Sequence, residues 1–118
     1  MKHNSRELKV WQEALVLAKE VYLVSARFPA SERFGLTSQV NRAVVSIPSN
    51  IAEGSGRSAN KDFSNFLSIA LGSAFELETQ LILAKELGFA QEERLNPLVE
   101  KLVRTEKMIS NLQNRLKD

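Results

Sequence analysis

Residues Gln39 to Arg57 read QVNRAVVSIPSNIAEGSGR, and the spacing within this stretch decides the fold class. Val40, Val44, Ile47 and Ile51 recur at three- and four-residue steps, the pattern of one buried helical stripe. Arg42, Ser46, Ser49 and Glu53 repeat the pattern on nearly the opposite face at about 100° per residue. That second face is small and polar where a solvated face carries long Lys and Glu side chains, so the helix is expected to be pressed from both sides. Pro48 removes a backbone bond in its middle and predicts a kink unless neighbours compensate. Gly54-Ser55-Gly56 then stops the helix.

Working outward from this helix, which spans about Leu36 to Glu53 with Thr37 or Ser38 near its start, three more follow from periodicity. The first covers about Arg6 to Arg27. Its main stripe is Leu8, Trp11, Leu15, Ala18 and Tyr22, widened by Ala14, Leu17, Val21, Val24 and Phe28. Phe28-Pro29 closes it, because a residue before proline is pushed out of the α region. Helix three covers about Asn60 to Leu87, capped by Ser58 or Asn60 and ended by Gly88. Phe63, Leu67, Ala70, Ala74, Leu77 and Leu81 form its stripe, with Asn65, Gly72, Ser73, Glu76 and Gln80, joined by Ile69 and Leu83, on the far face. Helix four covers about Gln91 to Lys117 on Leu95, Leu98, Leu102, Ile109, Leu112 and Leu116. Asn96-Pro97 is either its cap and first residue or lies early within it. Short links between amphipathic helices predict an all-α, antiparallel up-down-up-down four-helix bundle, a single domain over 1–118 with Met1 to Ser5 frayed.

Composition narrows the chemistry. At 118 residues, with 43% hydrophobic and 25% charged residues, the chain suits one globular domain. It has no cysteine, which excludes disulfides, thiolate metal sites and cysteine nucleophiles. Its one histidine is His3, so neither paired Glu-x-x-His metal motifs nor a serine triad is expected unless His3 swings in. No metal, no cofactor and no enzymatic activity are expected. The net charge of +2 carries no basic arm. No apolar stretch near the N-terminus resembles a signal segment and no apolar run approaches a membrane span, so a cytoplasmic location without membrane contact follows by elimination.

Glu78 falls within the helix-three stripe beside Leu71, Leu81 and Ile82, which predicts an ion pair with Arg42 or Arg57. Residues Glu53 to Ser58 read either as an anion cradle with Arg57 or, more simply, as a turn in which Arg57 pairs with a carboxylate. Trp11 and Tyr22 share a stripe with leucines and are expected in the core. In helix four, Arg94, Lys101, Arg104, Lys107, Arg115 and Lys117 interleave with Glu93, Glu100 and Glu106, the pattern of a solvated face whose later basic residues could line a rim.

The runs LTSQVNRAVVSIPSNIAEGSGR and DFSNFLSIALGSAFELETQLILAKELGF, with the opening LKVWQEALVLAKEVY and the Phe28-Pro29 link, carry a resemblance over roughly Leu8 to Phe89. They resemble the four-helix-bundle family encoded in intervening sequences of bacterial 23S rRNA genes. The specific elements are SIPSNIAEG and the GS-x-x-ELE-x-Q segment; helix four agrees only in pattern. Asn41 departs from the second basic residue expected beside Arg42. The resemblance implies a homopentameric ring of such bundles, similar in architecture to the accessory variability protein of diversity-generating retroelements. Arg42, Ser49, Asn50, Glu53, Gly54 and Arg57 match its first motif, and Gly72, Ser73, Glu76, Glu78 and Gln80 its second. With Ser46, these are read mainly as packing and assembly positions, with Arg57 also counted below as an anion contact. The expected function is a non-enzymatic homo-oligomer that binds RNA or another nucleic acid. Phosphate contacts would come from Arg42, Arg57, Lys61, Arg104, Lys107 and Arg115 of several subunits. The alternative is a protein-interaction scaffold with no nucleic-acid role.

Overall fold

The structure is a computed structural model that describes residues 3–117. Its described residues form four α-helices and no strand: α1 Lys9–Ser25, α2 Leu36–Ser55, α3 Asn60–Glu86 and α4 Glu92–Arg115, with short 3-10 turns at Ser5–Glu7 and Ala30–Glu32. The body measures 46 × 23 × 20 Å. Helices α1 and α3 lie diagonally, as do α2 and α4, and each helix packs on the two others. The α2–α3 seam is the most extensive.

Periodicity sets α2 and α3 as expected. Val40, Val44, Ile47 and Ile51 are fully buried, and so are Phe63, Leu67, Ala70, Ala74, Leu77 and Leu81. In α1 the roles of the two stripes are reversed. Val10, Ala14, Leu17, Val21 and Val24 form the buried face, while Leu15 and Tyr22 are exposed and Trp11 packs only partly against the core. Both α1 stripes are apolar, and the position of α2 and α4 selects between them.

The helix ends depart from the expected caps. Leu36 N–H donates to the Glu32 carboxylate at 3.0 Å, so the acid at the end of the preceding turn caps α2 and no hydroxyl from Thr37 or Ser38 does. The N-cap of α3 is Ala59, whose side chain offers no capping bond, and Asn60 is the first helical residue. At its other end Gly88 has φ +72°, its N–H donates to Lys85 O at 3.0 Å, and Phe89 N–H donates to Ala84 O at 2.9 Å. That pair of bonds is a Schellman motif. It turns Phe89 onto Phe28, ring centroids 6.0 Å apart, and closes this end of the core.

Two prolines sit inside helices. Helix α2 runs unbroken through the buried Pro48, and the Asn50 side chain adds a second donor to Ser46 O at 2.8 Å in the same turn. Helix α4 begins at Glu92, so Pro97 lies within it. That proline is exposed, which leaves the carbonyl one turn earlier open to water.

His3 and Asn4, within the segment expected to be frayed, make defined contacts. His3 N–H donates to Ser55 O at 2.9 Å, and its ring lies 5.0 Å from Phe63. Asn4 then caps the turn that follows. Met1 and Lys2 of the expected frayed segment lie outside the described residues. The expectation that no apolar run approaches a membrane span also fails. By length and composition α3 is long and apolar enough, with a mean hydropathy of 1.3 over its most apolar window. One such helix is weak evidence of a span, because a core helix of a globular bundle passes the same test.

Candidate functional site

The polar second faces of α2 and α3 meet each other within the chain. Ser46 and Ser73 share a hydroxyl hydrogen bond of 2.8 Å, and Asn50 Nδ2 donates to Ser46 Oγ at 2.9 Å. Further along the seam, Gln80 Nε2 donates to Gln39 Oε1 at 3.4 Å and to Glu76 Oε2 at 3.2 Å. Above these bonds lies a groove of about 390 Å³ lined by Gln39, Arg42, Ala43, Ser46, Ser73 and Glu76. Arg42 stands exposed at its rim and forms no ion pair among the described residues. The groove therefore presents an unneutralised guanidinium and a carboxylate side by side.

Gly54 shows why the α2–α3 seam is this close. A methyl group there would lie 2.7 Å from Phe66 Cβ and 2.8 Å from Phe63 Cδ1. Gly72 behaves oppositely, since a methyl at that exposed position meets nothing within 4 Å. Ser49 is likewise exposed. Of the small second-face residues, Ser46, Ser73 and Gly54 are thus used inside the chain, and Ser49 and Gly72 point outward.

Arg57 pairs with Glu53 at 3.0 Å, and its guanidinium lies 4.8 Å from the centroid of the Phe66 ring. This is the simpler of the two readings of the turn. The pair is about half exposed, so it adds at most about 1 kcal/mol. Lys61 is exposed in the first turn of α3. Gln113 donates to Ser64 O at 2.9 Å and to Ser68 Oγ at 2.8 Å, which brings the end of α4, and Arg115 with it, to the start of α3. Arg115 and Lys9 also line a cleft of about 230 Å³ between α1 and α4. Arg57, Lys61, Arg115 and Lys9 therefore gather at one end of the molecule. The other phosphate candidates stay apart: Arg42 is at the groove, Arg104 is held by Glu13 at 3.1 Å, and Lys107 is exposed on α4.

The α4 charges are not one solvated face. Lys101 pairs with Glu20 at 2.6 Å across the α1–α4 seam, and Glu106 is only 8% exposed. Nor does Glu78 meet an arginine. Its partner is Glu106, which faces it from α4. Burial first, then the hydrogen bond and the charge of Glu78, push the Glu106 carboxyl up to about 8. Sequence reasoning placed Glu106 on the solvated face, although it fills, with Thr105, the gap in the α4 stripe between Leu102 and Ile109. Lys9 and Gln39 were missed, and the structural role of Asn41 was not read from the sequence. Asn41, the departure from the expected basic residue, accepts from Ser25 Oγ at 2.7 Å and ties α2 to α1. Among the described residues no group of three or more His, Asp or Glu side chains stands close enough to hold a metal ion.

The fold and these surfaces define a small all-helical protein with a polar interhelical groove and a basic end. The chain belongs to the 23S rRNA-intervening sequence protein family, whose model matches residues 6–111. Its fold is shared by the crystal structure of a protein of unknown function from the S23 ribosomal protein family of Bacteroides thetaiotaomicron. The TM-score is 0.80 at 24% sequence identity, with 88% of this chain and 97% of that chain covered. No curated protein matches the chain.

Proposed function

We propose that the protein is a non-enzymatic, homo-oligomeric binding protein that takes the phosphate backbone of RNA at its basic end. The observation that carries this reading is the gathering of Arg57, Lys61, Arg115 and Lys9 where α2 gives way to α3. The first turn of α3 adds the partial positive charge of a helix N-terminus there. Family membership supports an association with rRNA genes. The protomer is an up-down-up-down bundle, supported by cross-seam bonds in which residue numbers rise on one helix as they fall on the next, such as Gln39 with Gln80 and Ser46 with Ser73. The resemblance described above favours five copies in a ring.

Replacing Arg57, Lys61 and Arg115 together by alanine is expected to weaken binding of structured rRNA fragments at low salt at least tenfold. It should also flatten the dependence of log affinity on log salt by roughly 0.7–0.9 per phosphate contact removed. Fluorescence anisotropy across a salt series measures both. Failure of the unaltered protein to bind at low salt would sink the RNA reading. For the assembly, light scattering at micromolar concentration should give a mass several times that of one chain. Arg42→Ala should lower that mass while leaving the helical content intact, since Arg42 has no ion-pair partner among the described residues. A monomer at that concentration would remove the ring.

A second reading, a protein-interaction scaffold, is favoured by one surface. Tyr22 and Val45 flank the Ser25–Asn41 bond from either helix, and with Leu15 they leave a 42–46% exposed apolar strip along the α1–α2 seam. Self-association covers this strip under the first reading. A protein partner retained after nuclease treatment, on a chain that stays monomeric, would favour the second.

A further inference from the structure

The α3–α4 seam contains a contact that neither assembly nor a basic end requires. Glu106 on α4 is more than nine-tenths buried, and its Oε2 has no hydrogen-bond partner among the described residues. Glu78 on α3 faces it from the other side of the seam, close enough for the two carboxyls to share a proton. Two carboxylates can hydrogen-bond directly only when one carries a proton, because two carboxylate anions offer acceptors alone. Among the described residues no cation is paired with either carboxyl. From α3, Lys85 is held by Glu92 at 3.0 Å. On α4, Lys101 and Arg104 turn to Glu20 and Glu13 of α1 on the opposite flank, and Lys107 is exposed. Helix α2 lies across the diagonal from α4.

We propose that Glu78 and Glu106 form a proton-sharing clasp that holds α4 against α3 and releases it when the shared proton is lost. The apolar surroundings set the direction of the effect. The unfolded chain gives up the Glu106 proton near 4.5, whereas the folded chain keeps it to about 8. Between those values the folded state binds the extra proton, so the clasp contributes fully below about 4.5 and its contribution is lost as pH rises through about 8. Above that point two anions face each other in a seam with no counter-charge. Release loosens the middle of α4, which leads to the Gln113 anchor and to Arg115. This device is independent of whether the basic end binds RNA.

The test is a carbon-13 NMR titration of the glutamate carboxyls in the full chain, with urea unfolding from pH 5 to pH 9 on the unaltered protein and on Glu106→Gln. One glutamate carboxyl is expected to titrate near neutrality or above, and to be absent from the Glu106→Gln spectrum. The folding constant of the unaltered protein should fall as pH rises, by up to roughly a thousandfold, and the fall should be much shallower in Glu106→Gln. If that variant does not fold, the titration of the unaltered protein decides alone. A chain whose glutamates all titrate between about 4 and 5 overturns the clasp. So does a Glu106→Gln stability profile with the same slope as the original.

Discussion

Phe63→Ala is expected to destabilise the chain by about 3–5 kcal/mol, the range for truncating a fully buried aromatic side chain. Phe63 is only 1% exposed and stands at the start of the α3 stripe. Three separate contacts depend on it. It fills the interior beside Leu67, it receives the His3 ring at 5.0 Å, and its Cδ1 lies where a side chain on Gly54 would go. Removing the ring opens a cavity that the rigid α2–α3 seam cannot collapse into, so the cavity cost adds to the lost transfer energy. The N-terminal segment should loosen as well, because the His3 ring loses its contact there. Urea unfolding followed by circular dichroism gives the first quantity, and amide exchange at His3 to Glu7 gives the second. A loss below about 1 kcal/mol would mean that this end of the core is not packed as described.

Gly54→Ala should cost about 2 kcal/mol, and Gly72→Ala should have the opposite sign. Both substitutions replace glycine inside a helix, which by itself favours alanine by up to about 1 kcal/mol. At Gly54 the new methyl lies 2.7 Å from Phe66 Cβ and 3.2 Å from the Phe63 carbonyl oxygen. Neither atom is the flexible end of a side chain, so helix α3 has to move away. Overpacking of this kind costs typically 1–3 kcal/mol, and a contact that short puts it at the upper end, ahead of the propensity gain. At Gly72 nothing stands within 4 Å, and only the propensity gain of about 0.5–1 kcal/mol remains. Paired thermal melts of the two variants measure the contrast. Equal shifts would contradict the close α2–α3 approach. If the Gly72 variant is more stable as a single chain yet assembles less, its bare backbone lies at a contact between copies.

Some of this was legible from residue spacing alone. Val40, Val44, Ile47 and Ile51 in α2 stand opposite a small polar face, and Phe63, Leu67 and Ala74 in α3 keep one helical period, so spacing picks out the phase that is buried. The α1 phase was not legible. Leu8, Trp11 and Leu15 compete with Val10, Ala14 and Leu17 on nearly equal terms, and the choice falls to whichever side the other helices occupy. The candidate site divides in the same way. Ser46, Ser73, Glu76 and Gln80 stood out by type and do converge on one groove. Their partner Gln39 looked ordinary, because a cross-helix bond leaves no period in the chain.

By itself the sequence determined the four helices, the buried faces of α2, α3 and α4 and the family, since these depend on spacing within one helix and on contiguous motifs. The tertiary structure alone decided that Glu78 meets a carboxylate and that Arg115 joins Lys61 at one end. Those outcomes depend on how far apart two helices stand and how each is rotated about its axis. That distance and rotation are set by the summed packing of all four helices, which no single segment encodes.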